Sequence, residues 1–282
     1  MKNSSVLFRN LTKNDWAIFK DLDGEAFPND EIFEEDYSRL TLHEGFIGCF
    51  NKKQSNEIIG YLYLTRYSDY AHLNRIAVKK DKRGLGFGNL LMEYAIKYFS
   101  KFNPKDIGIY VETHNTPAIS LYKKYGFRDQ YESWHYIIDL ASFDKNISPQ
   151  LNLDNYEIKL IDMVDLTKIS KKFPEMNFTE MKSGLKSNLM SKDPRIKFFG
   201  LLKNQNFVAF ARFSPDFSGC RPFHYESVND VDPFIELIKK YKLPGKDHIR
   251  ITFDKYTELA DLFTQRNYKQ HHHLFRLIKP MT

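Results

Sequence analysis

Three glycines alternate in the hexapeptide RGLGFG, where Arg83 is followed by Gly84, Gly86 and Gly88. The preceding segment HLNRIAV alternates like a strand, and the apolar residues that follow recur at helical spacing. The glycines therefore lie on a strand-to-helix turn, where backbone N–H groups at the positive end of a helix can hold phosphate. A Cβ would obstruct both the turn and the anion. A glycine-rich turn without a ligand is the alternative.

The spacing excludes two common phosphate-binding loops. A dinucleotide-binding turn has G-x-G-x-x-G with an acidic residue about twenty positions later. Here the pattern is G-x-G-x-G, and the segment FSKFNPK at that distance contains no carboxylate. A Walker loop requires G-x-x-x-x-G-K followed by Ser or Thr, which this stretch lacks.

The wider stretch IAVKKDKRGLGFGNLL resembles the acyl-CoA loop of the GNAT superfamily of N-acyltransferases, R/Q-x-x-G-x-G/A, with Arg83, Gly86 and Gly88 at its fixed positions. Further along, VETHNTPAISLYKKYGF is similar to the second signature of that family. The resemblance covers residues 5–140 and implies acetyl-CoA as cosubstrate, without a metal. It implies that acetyl-CoA is held by Ile76, Ala77, Val78, Arg83, Gly84, Leu85, Gly86, Phe87, Gly88, Asn89 and Asn115.

Within this set, the resemblance implies that the backbone of residues 76–78 pairs with the pantetheine arm and polarises the thioester carbonyl. Lys79, Lys80 and Lys82 are available for the remaining phosphate charge. Asn115 is expected to hydrogen-bond the pantetheine arm. It also fits a turn position ahead of the next helix, and the two roles are compatible.

Transfer of an acyl group from a thioester to an amine requires the amine to lose a proton and the leaving thiolate to gain one. The resemblance assigns the second task to Tyr122, on a helix that begins at Pro117 and ends at Gly126. A phenol with a pKa of about 10 protonates a thiolate with a pKa of about 8.5 only when it is well placed. A packing role is the alternative, since the chain has 17 tyrosines.

The general base is predicted on the strand before the loop. Strand alternation predicts that His72, Asn74 and Ile76 share one face. GNAT relatives carry Glu or His near the position of His72, and a histidine there could take the amine proton directly or through water. Glu112, on the following strand, is the competing candidate, and a purely structural histidine is a further alternative.

Residues 21–36, DLDGEAFPNDEIFEED, contain eight acidic residues and no basic one. In GNAT-like folds the first two helices border the acceptor site, so Glu25, Phe27 and Asn74 are predicted to contact the acceptor. An acidic rim would favour a cationic small amine or a peptide amine. Acidic side chains that simply face water are the alternative.

The chain also resembles itself. VLFRNLTKNDWAIF has a counterpart in YEIKLIDMVDLTKI, and IGIYVETHNTPAISLYKKYGF has one in IRITFDKYTELADLFTQRNY. We therefore predict an α/β fold (a mixed α+β sheet) in two tandem GNAT-like domains, at residues 1–144 and 154–282. The polar segment between them contains Pro149 and is the expected linker.

The second copy is predicted to be degenerate. It lacks the glycine loop, Phe263 stands where the first copy has Tyr122, and Tyr256 stands where it has Asn115. We expect this copy to cover the first domain without binding coenzyme A strongly or catalysing. The triplet at residues 271–273 is not expected to bind metal, because a strand places alternate side chains on opposite faces.

Composition sets the remaining expectations. The 282 residues carry 42 basic and 36 acidic side chains, a net charge of +6. Because the basic residues are scattered, nucleic-acid binding is not expected. The sequence has no long apolar run and no signal-peptide pattern, so we expect no membrane association, a cytoplasmic location, and a monomer or homodimer. The predicted function is N-acetyl transfer from acetyl-CoA to a primary amine; a non-catalytic acyl-CoA-binding regulator and a protein N-terminal or lysine acetyltransferase are the alternatives.

Overall fold

The structure is a computed structural model that describes residues 6–28, 30–67, 69–147, 151–190 and 195–281. Contacts divide the chain into two compact units. Unit 1 comprises the described parts of Met1–Gln130 and Phe275–Thr282, and unit 2 comprises those of Tyr131–Leu274.

Unit 1 contains five strands and four helices of its own. In chain order they are β1 (Val6–Asn10), α1 (Trp16–Ala26), α2 (Glu34–Leu40), β2 (Phe46–Asn51), β3 (Gln54–Arg66), β4 (Tyr70–Val78), α3 (Phe87–Ser100), β5 (Asp106–Glu112) and α4 (Thr116–Lys124). Strands β1 to β4 pair antiparallel in chain order, and β5 pairs parallel with β4. Helix α3 provides the crossover that a parallel pair requires.

The sheet of unit 1 is covered on both faces. Helices α3 and α4 pack on one face and form the α3-side core, which includes Leu91, Tyr122 and Leu277. Helices α1 and α2 pack on the other face and form the α1-side core, which includes Phe19 and Tyr61. Side chains on the two faces of this sheet therefore lie in different environments, the α3-side core and the α1-side core.

Unit 2 repeats this topology with its own elements. They are β6 (Arg128–Asp139), α5 (Leu140–Asn146), β7 (Tyr156–Leu160), α6 (Met163–Lys172), α7 (Phe178–Met190), β8 (Lys197–Lys203), β9 (Asn206–Ser214), β10 (Gly219–Tyr225), α8 (Val231–Ile238), β11 (His248–Asp254), α9 (Thr257–Gln265) and β12 (Lys269–Pro280). Strands β7 to β10 pair antiparallel, β11 pairs parallel with β10, and β6 pairs antiparallel with β11.

The compact units do not follow the two sequence repeats at their ends. Most of β6, the last strand of the first repeat, belongs to unit 2, and the end of β12 belongs to unit 1, where it lies beside β5. Helix α5 occupies part of the predicted linker. Pro149 lies outside the described residues.

None of the helices in the described ranges is long and apolar enough to cross a lipid bilayer.

Candidate active site

The glycine loop has a backbone that favours glycine. Gly84 and Gly86 have φ angles of 74° and 88°, in the left-handed region that residues with a Cβ rarely adopt. Gly86 is the N-cap of α3, so the N–H groups of the first helical turn have no partner within the helix. At Gly88, a Cβ would lie 3.2 Å from Leu121 Cδ2, so this glycine lets α3 approach α4. The loop thus offers backbone donors at the positive end of a helix.

The side chains around the loop hold it in place. Arg83 Nε donates to the carbonyl of Val78 at 3.0 Å, which attaches the loop to the end of β4. Asn89 Oδ1 accepts from Lys124 Nζ at 2.6 Å and so joins α3 to α4. Lys82 pairs with Glu57 at 2.7 Å. Lys79 and Lys80 form no ion pair with any other described residue, and they are the cations left for an added phosphate.

Strands β4 and β5 separate just before this loop. Their parallel pairing covers only three rungs, of which His72 and Gly108 form the last. Beyond that rung β4 continues to Val78 and β5 to Glu112. We call the gap between residues 73–78 and 109–112 the β4–β5 opening. Along a strand edge that lacks a neighbour, backbone N–H and C=O groups can pair with an extended ligand.

The prediction that His72, Asn74 and Ile76 share one face is wrong. Tyr63 pairs with Arg75, whereas the next residue of β3, Leu64, pairs with Leu73, so the register shifts and Asn74 is an extra residue in β4. Such a bulge reverses the alternation of the residues that follow it.

The two cores show the reversal. Leu73 lies in the α3-side core and Ile76 packs against it, although they are three residues apart, while Ala77 lies in the α1-side core. His72 therefore faces the α1 side and Ile76 the α3 side. The Asn74 amide donates to Thr65 Oγ1 at 2.9 Å.

Tyr122 lies in the α3-side core, with 5% of its surface exposed. Its ring centroid is 6.1 Å from that of Phe127, and burial raises the pKa of its phenol well above the ordinary value of 10. Among the described residues, none hydrogen-bonds its hydroxyl. Asn115 is the N-cap of its helix and accepts from the N–H of Ala118 at 3.2 Å, so it is the cap itself and not a turn residue ahead of the cap.

His72 has partners that the sequence analysis missed. Its Nδ1 lies 2.8 Å from the Tyr70 hydroxyl, and its ring centroid lies 5.8 Å from that of Tyr110. The hydroxyl of Tyr70 in turn accepts a hydrogen bond from Arg276. Strand alternation could have placed Tyr70 beside His72, but no local pattern points to Arg276, which is 204 residues from His72 along the chain. Glu112, the rival base, lies 3.9 Å from His114 Nδ1.

The structure places the two predicted catalytic residues on opposite faces of the sheet. Tyr122 belongs to the α3 side, and His72 faces the α1 side. The β4–β5 opening begins at the rung of His72 and connects the two faces. A molecule that passes through the opening would meet both.

The acidic segment at residues 21–36 contains both buried and exposed carboxylates. Asp23 is buried, with 1% of its surface exposed, and it accepts from Arg75 Nη1 at 2.9 Å and from the N–H of Ile32 at 2.7 Å. Asp30 also pairs with Arg75, at 2.7 Å. The guanidinium of Arg75 lies 4.4 Å from the ring centroid of Phe27. Asp23 is therefore structural, and neither the acidic rim nor the alternative of charges that face water describes it.

Five carboxylates of the segment, Glu25 among them, are exposed and form no ion pair with any other described residue. They are Asp21, Glu25, Glu31, Glu34 and Glu35. They lie on or beside α1 and α2, on the face of the sheet to which His72 belongs.

The glycine loop and strand β4 lie within a stretch whose sequence matches a known family. Residues 13–127 match the model of the acetyltransferase (GNAT) family. This part of the chain is similar to that family. The resemblance carried by the two signatures is thereby confirmed.

The curated GNAT relatives match short stretches. An N-alpha-acetyltransferase from Sulfurisphaera tokodaii is 36% identical over 69 residues, which are 24% of this chain and 41% of that protein. A streptothricin acetyltransferase from Escherichia coli is 31% identical over 80 residues, 28% of this chain and 46% of that protein. The chain thus spans less than half the length of either relative.

The fold as a whole has a solved counterpart. The crystal structure of a GCN5-related N-acetyltransferase from Sphaerobacter thermophilus matches 98% of this chain and 95% of its own, with a TM-score of 0.73 and 14% identity. This likeness concerns the fold alone. It confirms the predicted α/β class, a mixed sheet flanked by helices.

In the described part of unit 2, the helix that follows β10 is less suited to a phosphate than α3. The pairing of β10 with β11 covers two rungs, so these strands also separate. The helix that follows, however, begins at Asp230 and Asp232, whose negative charges oppose an anion. Tyr256 donates to Glu175 Oε1 at 2.8 Å and packs on Tyr225, with ring centroids 4.5 Å apart. Phe263 is fully buried.

The histidines at residues 271–273 do not share one set of partners. His273 Nε2 lies 2.6 Å from Glu132 Oε2 and its ring stacks on Trp134, while His272 meets His135 edge to face. Within the described ranges, no group of three or more His, Cys, Asp or Glu side chains is arranged to hold a metal ion.

Proposed function

We propose that unit 1 transfers an acetyl group from acetyl-CoA to a primary amine by direct attack in a ternary complex. The observation that carries the proposal is the exposed glycine loop at the start of α3, directly beside the β4–β5 opening. A loop that holds pyrophosphate would direct the attached pantetheine chain along the free edge of β4. This geometry, together with the family of residues 13–127, supports an acyl-CoA donor.

In this proposal the donor is held by the predicted residues. The N–H groups from Gly84 to Asn89 bind the pyrophosphate, and Lys79 and Lys80 neutralise its charge. The backbone of residues 76–78 pairs with the pantetheine arm inside the opening. A backbone N–H of this edge polarises the thioester carbonyl and stabilises the oxyanion that forms on it.

The proton transfers follow from the two faces of the opening. The neutral form of the amine attacks the thioester carbon to give a tetrahedral intermediate, and the proton that its nitrogen then carries passes to His72, directly or through water, and from there to solvent. The C–S bond then breaks, and the leaving thiolate takes the proton of Tyr122. Burial raises the pKa of this phenol, so it is protonated at neutral pH and gives up its proton only to a thiolate that forms in direct contact with it. Solvent restores the proton to Tyr122 after release of coenzyme A.

The acceptor that we propose is a cationic amine, either a small amine or the amino group of a peptide. It approaches from the α1 side, where Glu25 and the other exposed carboxylates would attract it, and where Phe27 and Asn74 border its path. The N-alpha-acetyltransferase relative supports a peptide amino group, and the streptothricin acetyltransferase relative supports a small molecule.

Calorimetric titration with acetyl-CoA and with coenzyme A tests the donor site. We expect one-to-one binding by the wild type and its loss in the double variant Arg83→Ala, Gly86→Glu. The matched control is Arg39→Ala, Gly24→Glu, on α2 and α1, where a Cβ at Gly24 has space. Two sites would mean that unit 2 also binds the donor. No binding by the wild type would overturn the proposal.

Turnover is tested with acetyl-CoA and a panel of amines, by release of the coenzyme A thiol and by the mass of the product. The panel contains spermidine, a lysine-containing peptide with a blocked N-terminus, and peptides that begin with free alanine or serine. Saturable binding of acetyl-CoA with no product from any of these amines would favour the non-catalytic acyl-CoA-binding alternative.

A further inference from the structure

Arg276 is a buried cation on the sheet of unit 1. It lies near the end of β12, where neighbouring side chains point to opposite faces. Leu277 enters the α3-side core, so Arg276 faces the α1 side, as His72 does. Only 7% of its surface is exposed, and a charge buried to this degree must be held by hydrogen bonds and favourable contacts.

The strands around Arg276 leave room for its guanidinium. The group lies 5.2 Å from the ring centroid of Tyr70 and 5.0 Å from that of Tyr110. It also lies directly above Gly108, where any Cβ would overlap its nitrogens. Glycine inside a strand lowers the stability of the strand. Its presence at position 108 is explained because the missing Cβ leaves the space that the guanidinium of Arg276 occupies. Gly108 is the residue that pairs with His72 at the edge of the β4–β5 opening.

The hydrogen bonds run from Arg276 through Tyr70 to His72. A guanidinium has only donors, so the Tyr70 oxygen accepts from Arg276 Nη2. The same hydroxyl lies 2.8 Å from His72 Nδ1, and either the tyrosine proton or the imidazole proton can lie between these two atoms. Tyr70 engages Nδ1 in both arrangements, but Nε2 can accept a proton from the amine only when Nδ1 carries the ring proton.

We propose that Arg276 is a positioning residue for His72 and acts through the Tyr70 hydroxyl. It fixes the hydroxyl oxygen, this oxygen also accepts a hydrogen bond from Nδ1–H, and the imidazole is thereby held in one orientation, in the tautomer protonated at Nδ1, at the edge of the opening. A ring held in this way loses less freedom when it exchanges a proton with the amine. The kinetic part of this inference rests on the proposed acetyl transfer, but its spectroscopic part does not.

The kinetic test is a double-mutant cycle with Arg276→Met and Tyr70→Phe, using the amine of the panel that turns over fastest. We expect Arg276→Met to lower kcat about tenfold with the KM for acetyl-CoA unchanged. In the Tyr70→Phe background the same change should cost less than about twofold, because the two residues act in series. Arg276→Lys, which keeps a charged donor, should recover part of the rate. Lys279→Met, on the same strand, is the control.

The spectroscopic test needs no turnover. Two-dimensional ¹H–¹⁵N spectra of ¹⁵N-histidine-labelled protein report the tautomer of each ring, and the His72 signals are identified by their loss in His72→Gln. We expect a single tautomer in the wild type and a mixture in both Arg276→Met and Tyr70→Phe. Thermal unfolding shows whether each variant is folded, and if Arg276→Met is not, Arg276→Lys and Tyr70→Phe are compared instead.

Two results would overturn the proposal: an unchanged His72 tautomer in the folded variants, or fully additive losses of kcat in the cycle. A chain with no acetyl transfer at all but with the expected spectroscopic change would refute the proposed function and leave the positioning role standing.

Discussion

At the scale of single residues, the two hydroxyl groups of the site differ in environment and in consequence. Tyr122 is surrounded by the α3-side core, and burial raises its pKa, so its proton passes to a thiolate of lower pKa only when the two groups are in direct contact. Tyr70 instead lies between a cation and an imidazole and serves to orient them. The second family signature singles out Tyr122 in the sequence, whereas no feature of the sequence marks Tyr70.

Replacing Tyr122 with Phe removes the hydroxyl and keeps the packing of the ring. We expect kcat to fall at least about tenfold, while the affinity for acetyl-CoA stays almost unchanged, as is typical of a group that acts in the transition state. Steady-state kinetics and calorimetry measure the two quantities. Tyr94→Phe, another tyrosine at the same core, is the control, and an unchanged kcat in Tyr122→Phe would remove this residue from the mechanism.

His135 makes the stability of the protein depend on pH. Burial, followed by the charges of Arg221 and His272, lowers its pKa from 6.5 to about 2. Below pH 6.5 the unfolded chain therefore binds a proton that the folded chain refuses, and stability falls as the pH falls. The loss is at most about 1.4 kcal/mol per pH unit, or about 2 kcal/mol between pH 6.5 and 5.

The prediction is that His135→Phe flattens this dependence. Urea unfolding at pH 5 and pH 7.5 should show a smaller difference in the free energy of unfolding for the variant than for the wild type. His114→Phe is the control, because the His114 side chain is 84% exposed. Equal differences in His135→Phe and wild type would show that the histidine accepts its proton in the folded state.

At the scale of elements, local chemistry made the loop and its helices predictable. Glycines with positive φ, helical periodicity after Gly86, and Pro117 and Gly126 at the ends of α4 are all visible over short stretches. The bulge at Asn74 is not, because one extra residue in a strand leaves the apolar pattern of IAV intact and shows only in the pairing with β3. Its effect is large, since it moves His72 and Ile76 to opposite faces.

The buried carboxylate of Asp23 was also beyond local patterns, because its partner Arg75 is 52 residues away. Arg75 joins three elements: its own strand β4, helix α1 through Asp23, and the segment before α2 through Asp30. In a buried ion pair, each charge mainly offsets the free-energy cost of removing the other charge from water.

Arg75→Met should therefore destabilise the protein by about 3 to 5 kcal/mol, because it leaves the Asp23 carboxylate buried without its cation. Urea unfolding measures the change. Arg39→Met, which breaks the exposed pair with Asp36, should cost no more than about 1 kcal/mol. A second substitution, Asp23→Asn in the Arg75→Met background, should restore part of the stability, and similar losses in the Arg75 and Arg39 variants would contradict this account.

At the scale of the whole molecule, each unit is built from both halves of the sequence. Unit 1 includes residues 275–281, with Arg276 and the fully buried Leu277, and unit 2 includes most of β6 from the first repeat. The repeat itself was predictable from self-similarity. The unit to which β6 and the end of β12 belong was not predictable, because the sequence of a strand does not show which neighbouring strand it pairs with.

A chain shortened to end at Leu274 should lose stability in unit 1. The loss of Leu277 alone is expected to cost about 2 to 5 kcal/mol, as for other buried leucines. Hydrogen exchange should become faster in β5, which lies beside the deleted residues, and change little in β8 and β9. Leu277→Ala should show the same pattern more weakly and Lys279→Ala should not, whereas unaltered exchange in β5 would mean that unit 1 is complete without these residues.

The place of residues 275–281 in unit 1 also has a consequence for synthesis. Ribosomes add about 5 to 20 residues per second, and 274−130=144 residues separate the two segments of unit 1. Unit 1 therefore waits roughly 7 to 29 seconds for its last strand after residue 130 has been translated. During that interval the nascent chain lacks Arg276. A partly made polypeptide would therefore carry the glycine loop and the β4–β5 opening before Arg276 is present to orient the His72 ring.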